Sequence, residues 1–298
     1  MTAPSPSTDT ATVLSPTVRA AFWMAGAILS FLTMAVAGRV LAAELDTFEI
    51  MTLRSLTGVI IICIVATATA SWHRITMHRF GLQVLRNVAH FTGQNLWFYA
   101  ITLIPLAQVF ALEFTAPLWV LVLSPLFLGE RMSKRRALAG LTGFAGILLI
   151  ARPGFQEITP GLIAAALCAI GFAGTIISTK SLTRDVPTIC ILFWLTVLQA
   201  IFGLVCGGYD MDFALPSPAL WPAALLVGFA GLFAHYCVTS ALSIAPASVV
   251  SPMDFLRLPA AAVVGLLIYG EALDPFVLVG AAIIFAANYA NIRGERRA

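Results

Sequence analysis

Five charged residues fall inside long apolar stretches of this sequence: Arg54, Arg86, Glu113, Asp254 and Arg257. An ionisable group in hydrocarbon costs about 2.5–3.5 kcal/mol on insertion scales, so such groups face a protein interior or a wet cavity. Arg54 and Arg86 lie roughly two turns or less from a helix end and can snorkel to the interface. Glu113 and Asp254 each stand eight residues after a proline, Pro105 and Pro246. Arg257 follows Asp254 by one helical turn on the same face. Two readings stay open for this pair: an ion pair that stiffens one helix, or a site for a charged or zwitterionic substrate. Glu113 has no basic residue three or four positions away on its own helix. Desolvation favours the neutral form of a carboxylate, which makes Glu113 the expected proton-coupling residue.

A polar stripe runs along the segment that contains Arg86. Arg86, His90 and Gln94 recur at every fourth residue and share one helix face, flanked by Asn87 and Asn95. Such a stripe is either interhelical glue or the lining of a cavity. The adjacent Trp97, Phe98 and Tyr99 favour a cavity for a partly aromatic or amphiphilic ligand. The candidate substrate-binding set is Arg86, His90, Gln94, Glu113, His235, Tyr236, Asp254 and Arg257. Cys63, Cys168, Cys190, Cys206 and Cys237 show no CxxC spacing and read as small apolar filler. No Ser-His-Asp set, metal-ligand pattern or P-loop is visible. The expectation is therefore no cofactor, no metal and no enzymatic activity.

The elements that carry these residues follow from composition. The 298 residues are 60% hydrophobic and 10% charged, against about 25% charged in soluble domains. Mean hydropathy is +0.94. This excludes a soluble cytosolic enzyme, a nucleic-acid binder and a disordered protein; the expected solvent is the lipid bilayer. Residues 1–17 hold no periodicity and read as a disordered tail. The run that follows ends in Ala35-Val36-Ala37, but it is long for a signal sequence and is expected to stay in place. Ten apolar segments are expected to be transmembrane helices: 18–38, 48–70, 80–101, 105–128, 135–151, 160–180, 187–207, 219–241, 246–269 and 274–292. A basic tail, 293–298, closes the chain.

The chain repeats itself at an offset of 141 residues. Pro105 pairs with Pro246, Glu113-Phe114 with Asp254-Phe255, and Gly129-Glu130 with Gly270-Glu271. The same register sets Phe31 against Phe172, Gln94 against His235 and Asn95 against Tyr236. Two halves of five helices each are implied, and an odd number inverts the second half relative to the first. The fold class is thus an all-α integral membrane protein, ten transmembrane helices in an inverted five-plus-five repeat. With both termini in the cytoplasm, the inner segments hold Arg19, Arg74, Arg79, Arg131, Lys134, Arg135, Arg136, Lys180, Arg184, Arg293, Arg296 and Arg297. The outer segments hold Arg39 and Arg152. That asymmetry obeys the positive-inside rule. Pro105, Pro117 and Pro125 in segment four, and Pro246, Pro252 and Pro259 in segment nine, remove backbone donors and mark cavity-lining or bending helices. Gly140, Gly143 and Gly146 imply close helix packing.

These features resemble the EamA family of the drug/metabolite transporter superfamily. The resemblance rests on Glu113-Phe-Thr-Ala-Pro-Leu-Trp through Gly129-Glu130 to Pro153-Gly154, and on Ser251-Pro-Met-Asp-Phe-Leu-Arg-Leu-Pro through Gly270-Glu271. It covers about residues 20–292 and implies two repeats, 18–152 and 159–292. It also implies a central cavity near Glu113, the stripe, His235 and Asp254, with Glu130 and Glu271 as structural caps at helix ends. The implied function is a secondary transporter of a small organic metabolite (an amino acid, riboflavin, S-adenosylmethionine or similar) across the inner membrane by alternating access. The alternatives are a non-transporting membrane accessory or scaffold subunit and a lipid-acting membrane enzyme, for which no nucleophile is visible.

Overall fold

The computed structural model describes residues 16–128, 134–152, 157–209, 213–244 and 253–295. Those residues are helical, joined by short loops. The helices are α1 (Pro16–Leu41), α2 (Thr47–Ala68), α3 (Phe80–Leu103), α4 (Leu106–Glu113), α5 (Ala116–Leu128) and α6 (Lys134–Ala151). They continue with α7 (Pro160–Leu182), α8 (Thr188–Gly207), α9 (Trp221–Ile244), α10 (Arg257–Tyr269) and α11 (Pro275–Glu295). Among the described residues, five helices are long and apolar enough to cross a membrane. They are α1, α2, α7, α8 and the Trp221–Val238 part of α9. The 24-residue α3 has the length but carries the polar stripe.

The limits of eight segments fall within three residues of the helix ends. The chain enters α1 at Pro16, earlier than the tail expected at 1–17, because proline is well suited to a first helical turn. Residues 1–15 and 296–298 lie outside the described residues, and Arg293 belongs to α11 rather than to a tail. Local signals set the other ends. Asp46 and Glu49 form a reciprocal capping box on α2, and Thr159 caps α7 ahead of Pro160. Gly270 closes α10 in the left-handed conformation, φ +65°, with the Glu271 N–H returning to Gly265 O at 3.0 Å.

Segment four departs from its expected form. It is two helices, α4 and α5, broken at Phe114–Thr115. Segment nine breaks in the same way: Met253 and Asp254 are helical, Phe255 and Leu256 form a turn, and α10 starts at Arg257. Proline is the cause in both. Pro117 has no N–H to give the Glu113 carbonyl four residues back, and Pro259 has none for Phe255. The chain tightens instead: the Leu118 N–H bonds Thr115 O at 2.9 Å and the Leu258 N–H bonds Phe255 O at 3.1 Å. The freed Phe114 carbonyl accepts from Asn288 Nδ2 of α11 at 3.1 Å.

The helices pack as α1 on α9, α3 on α7, α2 on α8, α6 on α11 and α4 on α10. Small residues bring the backbones close. A Cβ on Gly146 of α6 would stand 2.8 Å from the Gly280 carbonyl of α11, and one on Gly171 of α7 would stand 2.8 Å from the Ala89 carbonyl of α3. At one end of the bundle, Asp185 accepts from His78 Nε2 and Arg79 Nη1, both at 3.1 Å. The His78 hydrogen bond first, then Arg79, holds this exposed carboxyl below its ordinary range. Loop contacts elsewhere join Glu44 to Ser217, Glu49 to the Ala214 N–H, Arg39 to Glu271 and Arg152 to Asp274.

Candidate functional site

The two helix breaks face each other. Phe114 and Phe255, the residues at the breaks, stack with ring centroids 4.5 Å apart and planes 19° apart. Beside them, Arg257 Nη2 donates to Glu113 Oε1 at 3.0 Å and to Asp254 Oδ2 at 3.2 Å. Trp97 Nε1 donates to the other oxygen of Glu113 at 2.8 Å. The Arg257 guanidinium also lies over the rings of Phe31, Phe110 and Phe114, at 4.5, 5.1 and 4.9 Å. Those rings meet a desolvated cation with their negative faces.

This group closes one side of a cavity of about 260 Å³ between α1, α3, the α4–α5 break, α7, α9 and the start of α10. Phe31, Trp97, Phe114 and Phe172 supply apolar wall, and His90, Gln94, Thr175, His235, Asp254 and Glu113 supply polar atoms. His90 and His235 meet edge to face at 5.9 Å, with Phe172 beside the first and Phe31 beside the second. The volume suits a small organic solute, and the lining matches the usual mixture of aromatic wall and few polar groups.

Of the eight sequence-derived candidates, His90, Gln94, Glu113, His235, Asp254 and Arg257 line this one cavity. Two do not. Tyr236 is 53% exposed and packs edge-on against Trp23, on the outside of the bundle. It follows His235 directly, and one residue turns about 100° around a helix. Arg86 sits one turn before His90, outside the lining, and gives Nε to Thr179 Oγ1 of α7 at 2.6 Å. Neither it nor Arg54 snorkels: they are 5% and 6% exposed. The flanking Asn87 and Asn95 give their amide N–H to their own helix, at Gln83 O and Phe91 O, and Asn87 also accepts from Gln199 Nε2 of α8, an interhelical contact outside the lining.

Glu113 has no basic partner three or four residues away in its own helix, but Arg257 reaches it from 144 residues away. The carboxylate oxygen left without a partner is Asp254 Oδ1. Trp97, Phe31, Phe172 and Thr175 were not in the candidate set. The signal for Phe31 and Phe172 was their pairing at the 141-residue offset; Thr175 gave none. Among the described residues, no group of three His, Cys, Asp or Glu is placed to hold a metal. The chemistry on offer is binding by hydrogen bonds, charge and stacking.

An all-helical bundle whose membrane-spanning helices surround an aromatic-walled cavity with a few polar groups defines a multi-pass membrane protein. The EamA-like transporter family matches residues 18–152 and 159–292, two copies that span nearly all of the described chain, and the chain belongs to that family. It is similar to a riboflavin transporter of Brucella anthropi, 34% identical over 213 residues, 70% of this chain and 75% of the relative. It is similar to an S-adenosylmethionine uptake transporter of Rickettsia bellii, 27% identical over 220 residues, 73% of this chain and 74% of the relative. A pseudopaline exporter of Pseudomonas aeruginosa is 26% identical over 259 residues, 86% of this chain and 89% of the relative. A solved crystal structure 19% identical overlays 93% of this chain and 98% of its own with a TM-score of 0.64, a likeness of fold. The protein is a small-molecule transporter of the drug/metabolite superfamily, not an enzyme.

Proposed function

We propose that the chain is a secondary transporter that carries a small organic metabolite across the inner membrane by alternating access, with the substrate held in the cavity beside Arg257. The observation that carries this reading is the meeting of two equivalent helix breaks, each directly after a carboxylate, with one arginine shared between those carboxylates. Discontinuous helices that meet at a polar cavity are the usual binding element of secondary transporters.

The ten segments form two inverted repeats, 18–152 and 159–292. Helix neighbours support this. Counting α4–α5 as the fourth crossing, the first packs on the eighth, the third on the sixth, the second on the seventh and the fifth on the tenth, while the fourth packs on both the sixth and the ninth. Numbered within each half, the pairs are 1 with 3 and 3 with 1, then 2 with 2, 4 with 4 and 5 with 5. A two-fold axis between the halves produces that pattern. The loop contacts support alternating sides, since His78, Arg79 and Asp185 gather at one end and Glu44 meets Ser217 across another pair of loops. Lys/Arg asymmetry assigns the Asp185 end and both termini to the cytoplasm.

The substrate is a solute of the size of an amino acid, riboflavin or S-adenosylmethionine; two of the relatives are named for transport of riboflavin and of S-adenosylmethionine. Asp254, whose Oδ1 has no partner, faces the same cavity as Arg257, Glu113, His235 and His90, beside the place given to the substrate. The test is uptake of these three compound classes by proteoliposomes. Gln94→Ala and His235→Ala are expected to lower uptake at least tenfold at matched incorporation and unchanged melting temperature. Wild-type uptake no greater than that of empty liposomes favours an accessory subunit. Full uptake in both alanine variants removes Gln94 and His235 from the site.

A further inference from the structure

Arg54 on α2 and Arg86 on α3 are left over by the Glu113–Arg257–Asp254 group. Both are more than nine-tenths buried, at 6% and 5% exposed. Among the described residues Arg54 has no hydrogen-bond partner; its Nε is buried without an acceptor, against Gly231 of α9. Arg86 gives one N–H to Thr179, and its Nη1 is buried without a partner. Among the described residues, neither forms an ion pair with an acid. The helix interiors hold three arginines against two carboxylates, so one positive charge is left over.

Arginines that only brace a fold look different in this same molecule. Arg39 binds two backbone carbonyls and Glu271, and Arg79 binds Ser181 and Asp185. A guanidinium carries five donors and no acceptor, and burying it unpaired is strongly unfavourable. Such donors fit an anion that arrives from outside the chain.

The surroundings say where that anion would come from. Arg54 shares a small void with His235, Ser55, Thr196 and Gln199. His90 lies one turn after Arg86 on the same face of α3. His90 and His235 are also walls of the substrate cavity. The two ring nitrogens of His90 and Oε1 of Gln199 have no partners.

We propose that Arg54 and Arg86, with His90 and His235, form the anion end of the transport site. They take the carboxylate or phosphate group of a metabolite whose body lies against Phe31, Trp97, Phe114 and Phe172. This assignment rests on the transporter reading and names its substrate class.

The experiment uses the full chain in phosphatidylcholine nanodiscs. Calorimetry measures binding of phenyl phosphate, 3-phenylpropionate and the neutral 3-phenylpropionamide. The wild-type chain should bind the two anions at least tenfold more tightly than the amide. Arg54→Gln and Arg86→Gln should each bring that ratio close to one, and Arg54→Lys and Arg86→Lys should keep part of it. Without ligand, the glutamine variants should melt no lower than wild type, because each loses an unpaired buried charge; a bracing role lowers the melt instead. An anion preference that survives Arg54→Gln with Arg86→Gln overturns the proposal, as does a wild-type chain that binds neither anion. Nanodiscs with phosphatidylglycerol separate the two sources of phosphate: if they abolish phenyl phosphate binding, the occupant is a lipid headgroup and the metabolite assignment falls. A chain that keeps the anion preference but moves no solute in liposomes loses the transporter reading and keeps the anion site. A chain whose transport is untouched by both glutamine substitutions keeps the transporter reading and loses the anion site.

Discussion

Replacing Arg257 with Gln is expected to abolish transport and to destabilise the fold more than any other single change in the cavity wall. Arg257 is 4% exposed and is the shared partner of Glu113 at 3.0 Å and Asp254 at 3.2 Å. Without it, two carboxylates stand together at low dielectric with no cation between them. Breaking a buried ion pair by removing one partner costs about 3–5 kcal/mol. The loss should shrink in the Arg257→Gln, Glu113→Gln double variant, since contacting residues are not additive. Thermal melts of the wild type, both single variants and the double variant measure this. Additive losses would show that the three groups do not act as a unit.

The second large effect is expected away from the cavity, at Glu271. This residue follows the glycine that ends α10, and its two oxygens hold different partners. Oε1 accepts from Arg39 Nη1 at 2.5 Å, and Oε2 accepts from the Leu106 N–H at 2.9 Å, at the first residue of α4. Arg39, near the end of α1, also donates to Ile101 O and to Ile104 O, the latter at 2.8 Å. One carboxylate therefore ties the end of α10 to α1 and to the corner between α3 and α4. The side chains of Arg39 and Glu271 are 14% and 15% exposed, so Glu271→Ala strands a mostly buried arginine. A loss of about 3–5 kcal/mol is expected. Glu271→Gln, which keeps an acceptor for Leu106, should lose less. Equal melts for wild type and Glu271→Ala would mean that the arginine finds other acceptors.

The sequence carried the chemistry of the site further than its geometry. An apolar background makes every buried charge visible, so Glu113, Asp254 and Arg257 stood out at once. The offset of 141 residues then linked Glu113 with Asp254 and Phe31 with Phe172. What it did not carry was helix phase. A helix in lipid is apolar on most faces, so periodicity cannot say which side of α9 turns inward; Tyr236 was paired with Asn95 by register and lies outside. Nor did it carry contacts between halves. A search for partners at three or four residues cannot find Arg257 for Glu113. The prolines announced a distortion in segments four and nine, but only the backbone shows that each break falls directly after the carboxylate. For Arg54 and Arg86, sequence position alone allowed snorkelling, and burial removes that option.

The most direct test of a carrier with its binding site in this cavity uses one cysteine at Thr175, in a chain whose five native cysteines are replaced. Thr175 lines the cavity from α7. A second chain with its single cysteine at Arg184, in the loop after α7, reports orientation. In sealed vesicles of either orientation, an impermeant thiol reagent should modify the Thr175 cysteine from both sides and stop uptake, and transported solute should slow the modification. The Arg184 cysteine should react from the cytoplasmic side alone. A Thr175 cysteine reached from neither side, or a fully modified protein that transports at the unmodified rate, would contradict a substrate path through this cavity.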